Sequence, residues 1–293
     1  MPGAEATAEP GVLTREKALA AGRANLRRAG VDAAEDDARL LLLGACAIER
    51  LALVTGADVA ISPEQARRYQ SFLDRRAGGE PVSRILGRRA FWTLELEVRP
   101  GVLDPRGDTE ALVRLALRVA GEYGAPRRIL DLGCGSGAIL CALLSEFETA
   151  SGLGVDLSAE ACAAAAANIG RCGFGDRAGV AQGNWCDGVS GPFDLIVSNP
   201  PYIPGGEIAR LDREVRDHDP ALSLDGGPDG LDAYREIFAA APPLLASGAA
   251  IVVEFGFGQA ADVEALALAN GLRKIDGERD LGDRDRAAAF TAT

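Results

Sequence analysis

Arg128-Ile-Leu-Asp-Leu132, then Gly133-Cys-Gly-Ser-Gly137, then Ala138-Ile-Leu-Cys-Ala142 is the stretch that decides the fold. A short apolar run cut off by glycines predicts a buried strand, and the apolar segment after it predicts a helix. Glycines at a strand tip admit positive φ and let the backbone come close to a ligand. In a doubly wound sheet that tip is where nucleotides bind. The spacing is G-x-G-x-G rather than the dinucleotide fingerprint G-x-G-x-x-G, and no Walker lysine follows. A phosphate-cradling loop is therefore excluded, and a cofactor loop of another kind is expected over Asp131, Gly133, Cys134, Gly135, Ser136 and Gly137.

Downstream of about Asp108, strand and helix patterns alternate, which predicts a mostly parallel α/β sheet covered on both faces. The strands are expected at Arg128–Leu132, Gly152–Leu157, Gly179–Gln182, Phe193–Ser198 and Ala249–Glu254, with two more at Arg273–Asp276 and Ala287–Thr291. Helices are expected at Ala138–Glu146, Ser158–Ile169, Ala233–Leu245 and Gln259–Asn270. Only a turn separates the last two strands, so they are read as an antiparallel hairpin closing the sheet edge.

Successive strand ends carry chemistry. Asp156, with Leu157 beside it, ends the second strand, where a carboxylate can accept both hydrogen bonds of a ribose diol. Asn184 and Trp185 follow the third, placed to meet the edge and face of an adenine. These features describe a cofactor with a ribose and a base but no phosphate, which S-adenosylmethionine fits. After the fourth strand stands Asn199-Pro200-Pro201-Tyr202. Two prolines remove two N–H donors and stiffen the turn, leaving free carbonyl acceptors. Asn199 adds an acceptor, and Tyr202 adds a flat aromatic face. Such a rim suits a planar –NH2 group, whose two hydrogens need two acceptors, and points to methyl transfer onto an amide or amine nitrogen.

Ahead of the sheet, residues Leu13 to Gly79 read as helices. Asp32 with Glu35 suggests a capping box before Ala38, Leu41, Leu42 and Ala45. Ser62-Pro63-Glu64-Gln65 is a second helix start, with serine as cap and proline in the first turn. Leu94-Glu-Leu-Glu-Val98 alternates as a half-exposed strand or hairpin does. The expected organisation is a loose tail over residues 1–12, a helical substrate-recognition domain over 13–86, a β-hairpin linker over 87–107 and a catalytic domain over 108–293.

The 293 residues carry a formal net charge of −12 and are 47% hydrophobic and 25% charged. That balance lacks the basic footprint of stable nucleic-acid binding and favours a protein or small-molecule substrate. Six cysteines stand without a C-x-x-C pair beside one histidine, His218, so no metal site is expected. The thiols read as reduced, the location as cytoplasmic and not membrane-bound, and the state as monomeric.

The chain resembles the PrmC/HemK family, the peptide chain release factor glutamine methyltransferases. The likeness runs from about Leu13 to Phe290. It includes Glu80-Pro-Val-Ser-Arg-Ile-Leu-Gly87, Phe91-Trp92, Val102-Leu-Asp-Pro-Arg-Gly-Asp-Thr-Glu110, Asp219-Pro-Ala-Leu222, Gly226-Gly-Pro-Asp-Gly-Leu231 and Val253-Glu-Phe-Gly256. The resemblance implies a Rossmann-like, seven-stranded class I S-adenosylmethionine-dependent methyltransferase domain behind a small helical domain. It implies as substrate the glutamine of the Gly-Gly-Gln loop in class I release factors, hence a part in translation termination. It places Gly133 to Gly137, Asp156, Trp185 and Asn199 on or against the cofactor, Asn199, Pro200, Pro201 and Tyr202 on the glutamine amide, and Arg106 on the substrate side. Gly107 stands where the family often has a second proline, Asn184 where aspartate is frequent, and Asp219 where glutamate is usual.

Asn-Pro-Pro-Tyr is shared with methyltransferases that modify an adenine or guanine of RNA or DNA, which leaves a nucleic-acid substrate as the alternative. A non-catalytic cofactor sensor is a further one, against which the intact acceptor rim speaks.

Overall fold

The computed structural model describes residues 12–293, so the predicted tail lies, except for its last residue, outside the described residues. The chain divides into two compact units, one ending at Leu86 and one spanning Gly87–Thr293.

The first unit is built from helices α1 (Arg15–Arg28), α2 (Ala34–Cys46), α3 (Arg50–Thr55), α4 (Pro63–Ala77) and α5 (Val82–Leu86). Leu26, Leu41, Leu42, Tyr69, Phe72 and Leu73 form its core. Ser62 and Gln65 make the predicted capping box at α4, satisfying each other's backbone N–H. The box predicted at α2 does not form. Ala33 takes the cap position without a side-chain bond, and Glu35 is drawn instead to Arg23 and Arg27 of α1. In the core, Tyr69 sends its hydroxyl to the Ala38 carbonyl at 3.0 Å. The Asp37–Arg76 pair, at 2.6 Å, is nearly buried.

The second unit opens with an antiparallel hairpin, β1 (Arg88–Phe91) and β2 (Leu94–Glu97). Asn168 holds it against the rest of this unit, accepting from the Glu97 N–H at 2.8 Å and donating to the Glu97 carbonyl at 3.1 Å. A seven-stranded sheet follows. Its members are β3 (Arg128–Leu132), β4 (Ser151–Asp156), β5 (Ala178–Gln182), β6 (Phe193–Ser198), β7 (Leu245–Glu254), β8 (Leu272–Arg279) and β9 (Asp285–Ala292). Their spatial order is β5-β4-β3-β6-β7-β9-β8, with β9 running against its two neighbours.

Strand residues alternate between two cores. Ile129, Leu195, Val197 and Val252 face α6 (Glu110–Tyr123), α7 (Ala138–Glu146) and α8 (Ala159–Arg171). Leu130, Leu132, Ile196 and Val253 face α10 (Asp232–Ala240) and α11 (Ala260–Ala269); α9 is the short turn Arg213–Arg216. Burial on both faces explains why these strands read as near-continuous apolar runs. The helix predicted over Ala233–Leu245 ends early, because Pro242 and Pro243 cannot continue it; they form a single 3₁₀ turn that leads into β7. Among the described residues, no helix is long and apolar enough to cross a membrane.

Candidate active site

The strand order reverses between β3 and β6, and the site grows from the carboxyl ends around that switch point. Leaving β3, the chain turns through the glycine loop before α7 begins at Ala138. Gly133 and Cys134 donate to the Val155 carbonyl at 2.8 and 3.0 Å. Asp156 binds the loop with one carboxylate oxygen, accepting from Gly135 N–H at 2.8 Å, and accepts from Ser158 N–H at 2.9 Å with the other. Gly137 has a φ of 76°, and a Cβ there would lie 3.1 Å from that of Ala165, so this turn and its packing on α8 require glycine. Beneath the loop Asp131 is fully buried and accepts from Leu140 N–H at 3.2 Å. Burial pushes its carboxyl up to about 7, with the Asp156 charge adding to the rise.

Above the loop lies a cavity of about 300 Å³. Of the residues predicted to hold a cofactor, Gly133, Gly135, Asp156 and Leu157 line it from the first two strand ends. Asn184 and Trp185 line it from the third, and Asn199 from the fourth, with Pro201 beside it. Asn184 donates to Glu236 at 3.1 Å. Asp131, Cys134, Ser136 and Gly137 are not on the wall. They are buried in and under the loop and shape its backbone.

A second cavity, of about 190 Å³, is lined by Asn199, Pro200, Tyr202 and Arg106, together with Glu254. Asn199 thus stands on the walls of both. Its Nδ2 donates to Thr109 Oγ1 at 3.1 Å. Arg106 is fixed by an ion pair with the buried Asp219 carboxylate. Tyr202 is held by its main chain: Gln259 Nε2 donates to the Tyr202 carbonyl at 3.0 Å and to the Gly230 carbonyl at 3.3 Å. Gln259 Oε1 in turn accepts from Gly256 N–H at 2.8 Å. Gly230 has a φ of 79°, and a Cβ there would fall 2.4 Å from the Tyr202 carbonyl oxygen. Burial, then the neighbouring Glu254 charge, pushes the Tyr202 phenol up to about 12.

Thr109, Glu254 and Gln259 were not among the expected site residues. Thr109 and Glu254 lie in stretches that carry the family likeness, Val102–Glu110 and Val253–Gly256, but no local pattern gives either a role. Gln259 reads in sequence only as the start of a helix.

A doubly wound sheet bearing this loop, an acidic second strand end and an Asn-Pro-Pro-Tyr turn defines a methyltransferase. Residues 17–87 match the PrmC N-terminal domain and residues 109–216 the methyltransferase small domain. The chain is 45% identical over 284 residues to a release factor glutamine methyltransferase of Rhodospirillum rubrum, covering 97% of this chain and 87% of that one. It is 44% identical to the protein of the same name in Caulobacter vibrioides, covering 94% and 95% of the two chains. The chain belongs to the release factor glutamine methyltransferase family. Solved structures extend the likeness of fold alone. The hMettl16 catalytic domain, in complex with the MAT2A 3′UTR hairpin 6, superposes with a TM-score of 0.53 at 14% identity over 78% of this chain and 82% of that one. A methyltransferase from Pyrococcus furiosus gives 0.50 at 17% identity over 69% and 90%.

Proposed function

We propose that this enzyme methylates the side-chain amide nitrogen of a glutamine in class I peptide chain release factors, the glutamine of their Gly-Gly-Gln loop, with S-adenosylmethionine as donor. The observation that carries the reading is the place of Asn199 on the shared boundary of two cavities, one suited to a nucleoside and one bordered by the proline-braced rim.

The larger cavity suits the donor. Asp156 spends one lone pair of each oxygen on a backbone N–H, which leaves acceptor capacity on both for a ribose diol. Trp185 offers a flat face, and the donor bond from Asn184 to Glu236 leaves the Asn184 oxygen to accept from a base amino group. When bound, S-adenosylmethionine supplies an electrophilic methyl carbon on a sulfonium.

The chain's own work is on the amide. Asn199 Oδ1 and the Pro200 carbonyl accept its two N–H bonds, turning the nitrogen toward the larger cavity. A carboxamide nitrogen is a weak nucleophile because its lone pair is delocalised, and acceptors on both hydrogens favour its pyramidal form. Holding the two reactants in line removes roughly 7–11 kcal/mol of barrier. Transfer would exchange the C–S bond of the sulfonium for the new C–N bond, the sulfur leaving as a neutral thioether and the surplus proton of the nitrogen passing to solvent. The helical unit recognises the factor beyond its loop, and the enzyme acts in the cytoplasm as a monomer.

Mass spectrometry after incubation with S-adenosylmethionine tests the reading, using folded release factor, its Gly-Gly-Gln peptide, and tRNA and rRNA in parallel. One added methyl on the glutamine of the folded factor is expected. Methyl appearing on RNA and not on the factor overturns the assignment.

A further inference from the structure

Gln259 is half-buried at the start of α11, and its side chain makes no capping bond to that helix. It reaches instead into three loops at the carboxyl edge of the sheet. Nε2 donates to the Tyr202 carbonyl in the turn after β6, at 3.0 Å, and to the Gly230 carbonyl ahead of α10, at 3.3 Å. Oε1 accepts from Gly256 N–H, just past β7, at 2.8 Å. These partners decide which end of the carboxamide faces where. Turned over, it would set an oxygen against two carbonyl oxygens and –NH2 against an N–H. Main-chain carbonyls and N–H groups cannot exchange roles, so a single orientation satisfies all three.

The backbone is shaped around this amide. A Cβ at Gly230 would lie 2.7 Å from Nε2, and one at Gly256 would lie 2.8 Å from Oε1 and 3.0 Å from Cδ2 of the Tyr202 ring. Glycine at both places lets the loops come close enough for one side chain to join them. The substrate rim needs such an outside hold, because Pro200 and Pro201 have no N–H with which to fasten it. The Tyr202 carbonyl follows that of Pro200 with only the rigid Pro201 unit between them, so fixing the one restrains the other.

We propose that Gln259 is a positioning residue for methyl transfer: by tying the Tyr202 carbonyl to the loops of Gly230 and Gly256, it sets where the Pro200 carbonyl stands on the wall of the smaller cavity. This rests on the glutamine-amide reading above, in which that carbonyl accepts from the substrate.

Two variants separate the hold on Tyr202 from the hold on Gly256. Gln259→Met keeps the length and loses all three bonds. Gln259→Glu keeps an acceptor for Gly256 N–H but, when ionised, turns an oxygen toward the Tyr202 and Gly230 carbonyls. At about pH 9, where that carboxyl is ionised, both variants should lower kcat on folded release factor roughly ten- to a hundredfold. Calorimetric affinity for S-adenosylhomocysteine should stay unchanged. As pH falls toward about 6, a carboxyl desolvated beside two carbonyl oxygens regains a proton and with it an O–H to donate to Tyr202. The rate of Gln259→Glu relative to the unaltered enzyme should therefore rise, while that of Gln259→Met stays flat. Glu254, Tyr202 and the other groups of the site titrate in all three proteins, so the ratio isolates the new carboxyl. Hydrogen exchange read by mass spectrometry, with no substrate present, should show faster exchange of the Tyr202 and Ile203 amides in Gln259→Met.

Four results would each overturn the proposal: normal turnover in Gln259→Met, a loss in Gln259→Met that Gln259→Glu does not share, an equal loss of S-adenosylhomocysteine affinity, or unchanged exchange at Tyr202 and Ile203. Gln259→Met removes no cap from α11, so it carries the test if Gln259→Glu does not fold. If the unaltered enzyme methylates no release factor, the glutamine reading fails, and the exchange result still decides whether Gln259 holds the rim.

Discussion

Two side chains at the ends of the strands that flank β3 are expected to divide the labour, and the division predicts opposite phenotypes. Asn199 borders both cavities and touches the protein through its Nδ2 bond to Thr109, and in the proposed reading its oxygen is left for the amide. Asn199→Ala should therefore lower single-turnover transfer by roughly a hundredfold or more, the scale of removing one preorganised polar group from a reacting centre. Cofactor affinity by calorimetry should change little; a variant that turns over normally would sink this assignment. Asp156 has the opposite profile. It anchors the glycine loop through Gly135 N–H and faces only the larger cavity. Asp156→Ala removes both the ligand acceptor and the loop anchor, so cofactor affinity should fall roughly tenfold or more. At saturating cofactor the transfer rate should largely return, and an unchanged dissociation constant would refute the argument.

At the level of helices and strands, the two predicted capping boxes diverge for a reason that gives a stability test. Ser62 and Gln65 satisfy each other's backbone donors, so Ser62→Ala should cost the helical unit about 1 kcal/mol. Asp32→Ala should stay within about 0.5 kcal/mol, because Asp32 caps nothing. Denaturant titrations followed by far-ultraviolet circular dichroism check both; equal losses would refute the contrast. The difference was invisible in sequence because Glu35 answers to Arg23 and Arg27 on another helix, outside any local window. Where local signals act alone, sequence and structure coincide: β3, β6 and α7 begin and end at the expected residues. The helix expected to run on to Leu245 failed on a local signal passed over, the pair Pro242-Pro243.

Across the whole molecule, the parts of the site that escaped the sequence are those made by distant residues meeting. The succession of strand ends along the chain could be anticipated, and with it the company of the glycine loop, Asp156, Trp185 and Asn199. The Asn199–Thr109 bond joins positions 90 apart, and the Gln259 clamp on Tyr202 joins positions 57 apart. Neither has a periodicity to betray it. Burial of charge is likewise a property of the finished fold, and it sets the pH response of stability. Folding pushes Asp131 and Glu254 up to about 7, chiefly by taking their carboxyls out of water. Unfolded, both titrate near pH 4. Between those values the folded chain keeps protons that the unfolded chain has lost, so stability falls as pH rises through the window. The contribution is fully present below about pH 4 and is lost as pH passes about 7. Asp276, held below the usual carboxylate range by its hydrogen bond to Arg118, works in the opposite sense, but its loss comes at lower pH. Melting temperature measured from about pH 5 to 8 should thus drop more steeply in the unaltered protein than in Asp131→Asn, which cannot ionise. The gap between the two curves should change by more than about 2 °C across that range. Parallel curves would mean that Asp131 keeps an ordinary carboxyl beneath the glycine loop, and that water reaches the floor of the cofactor cavity.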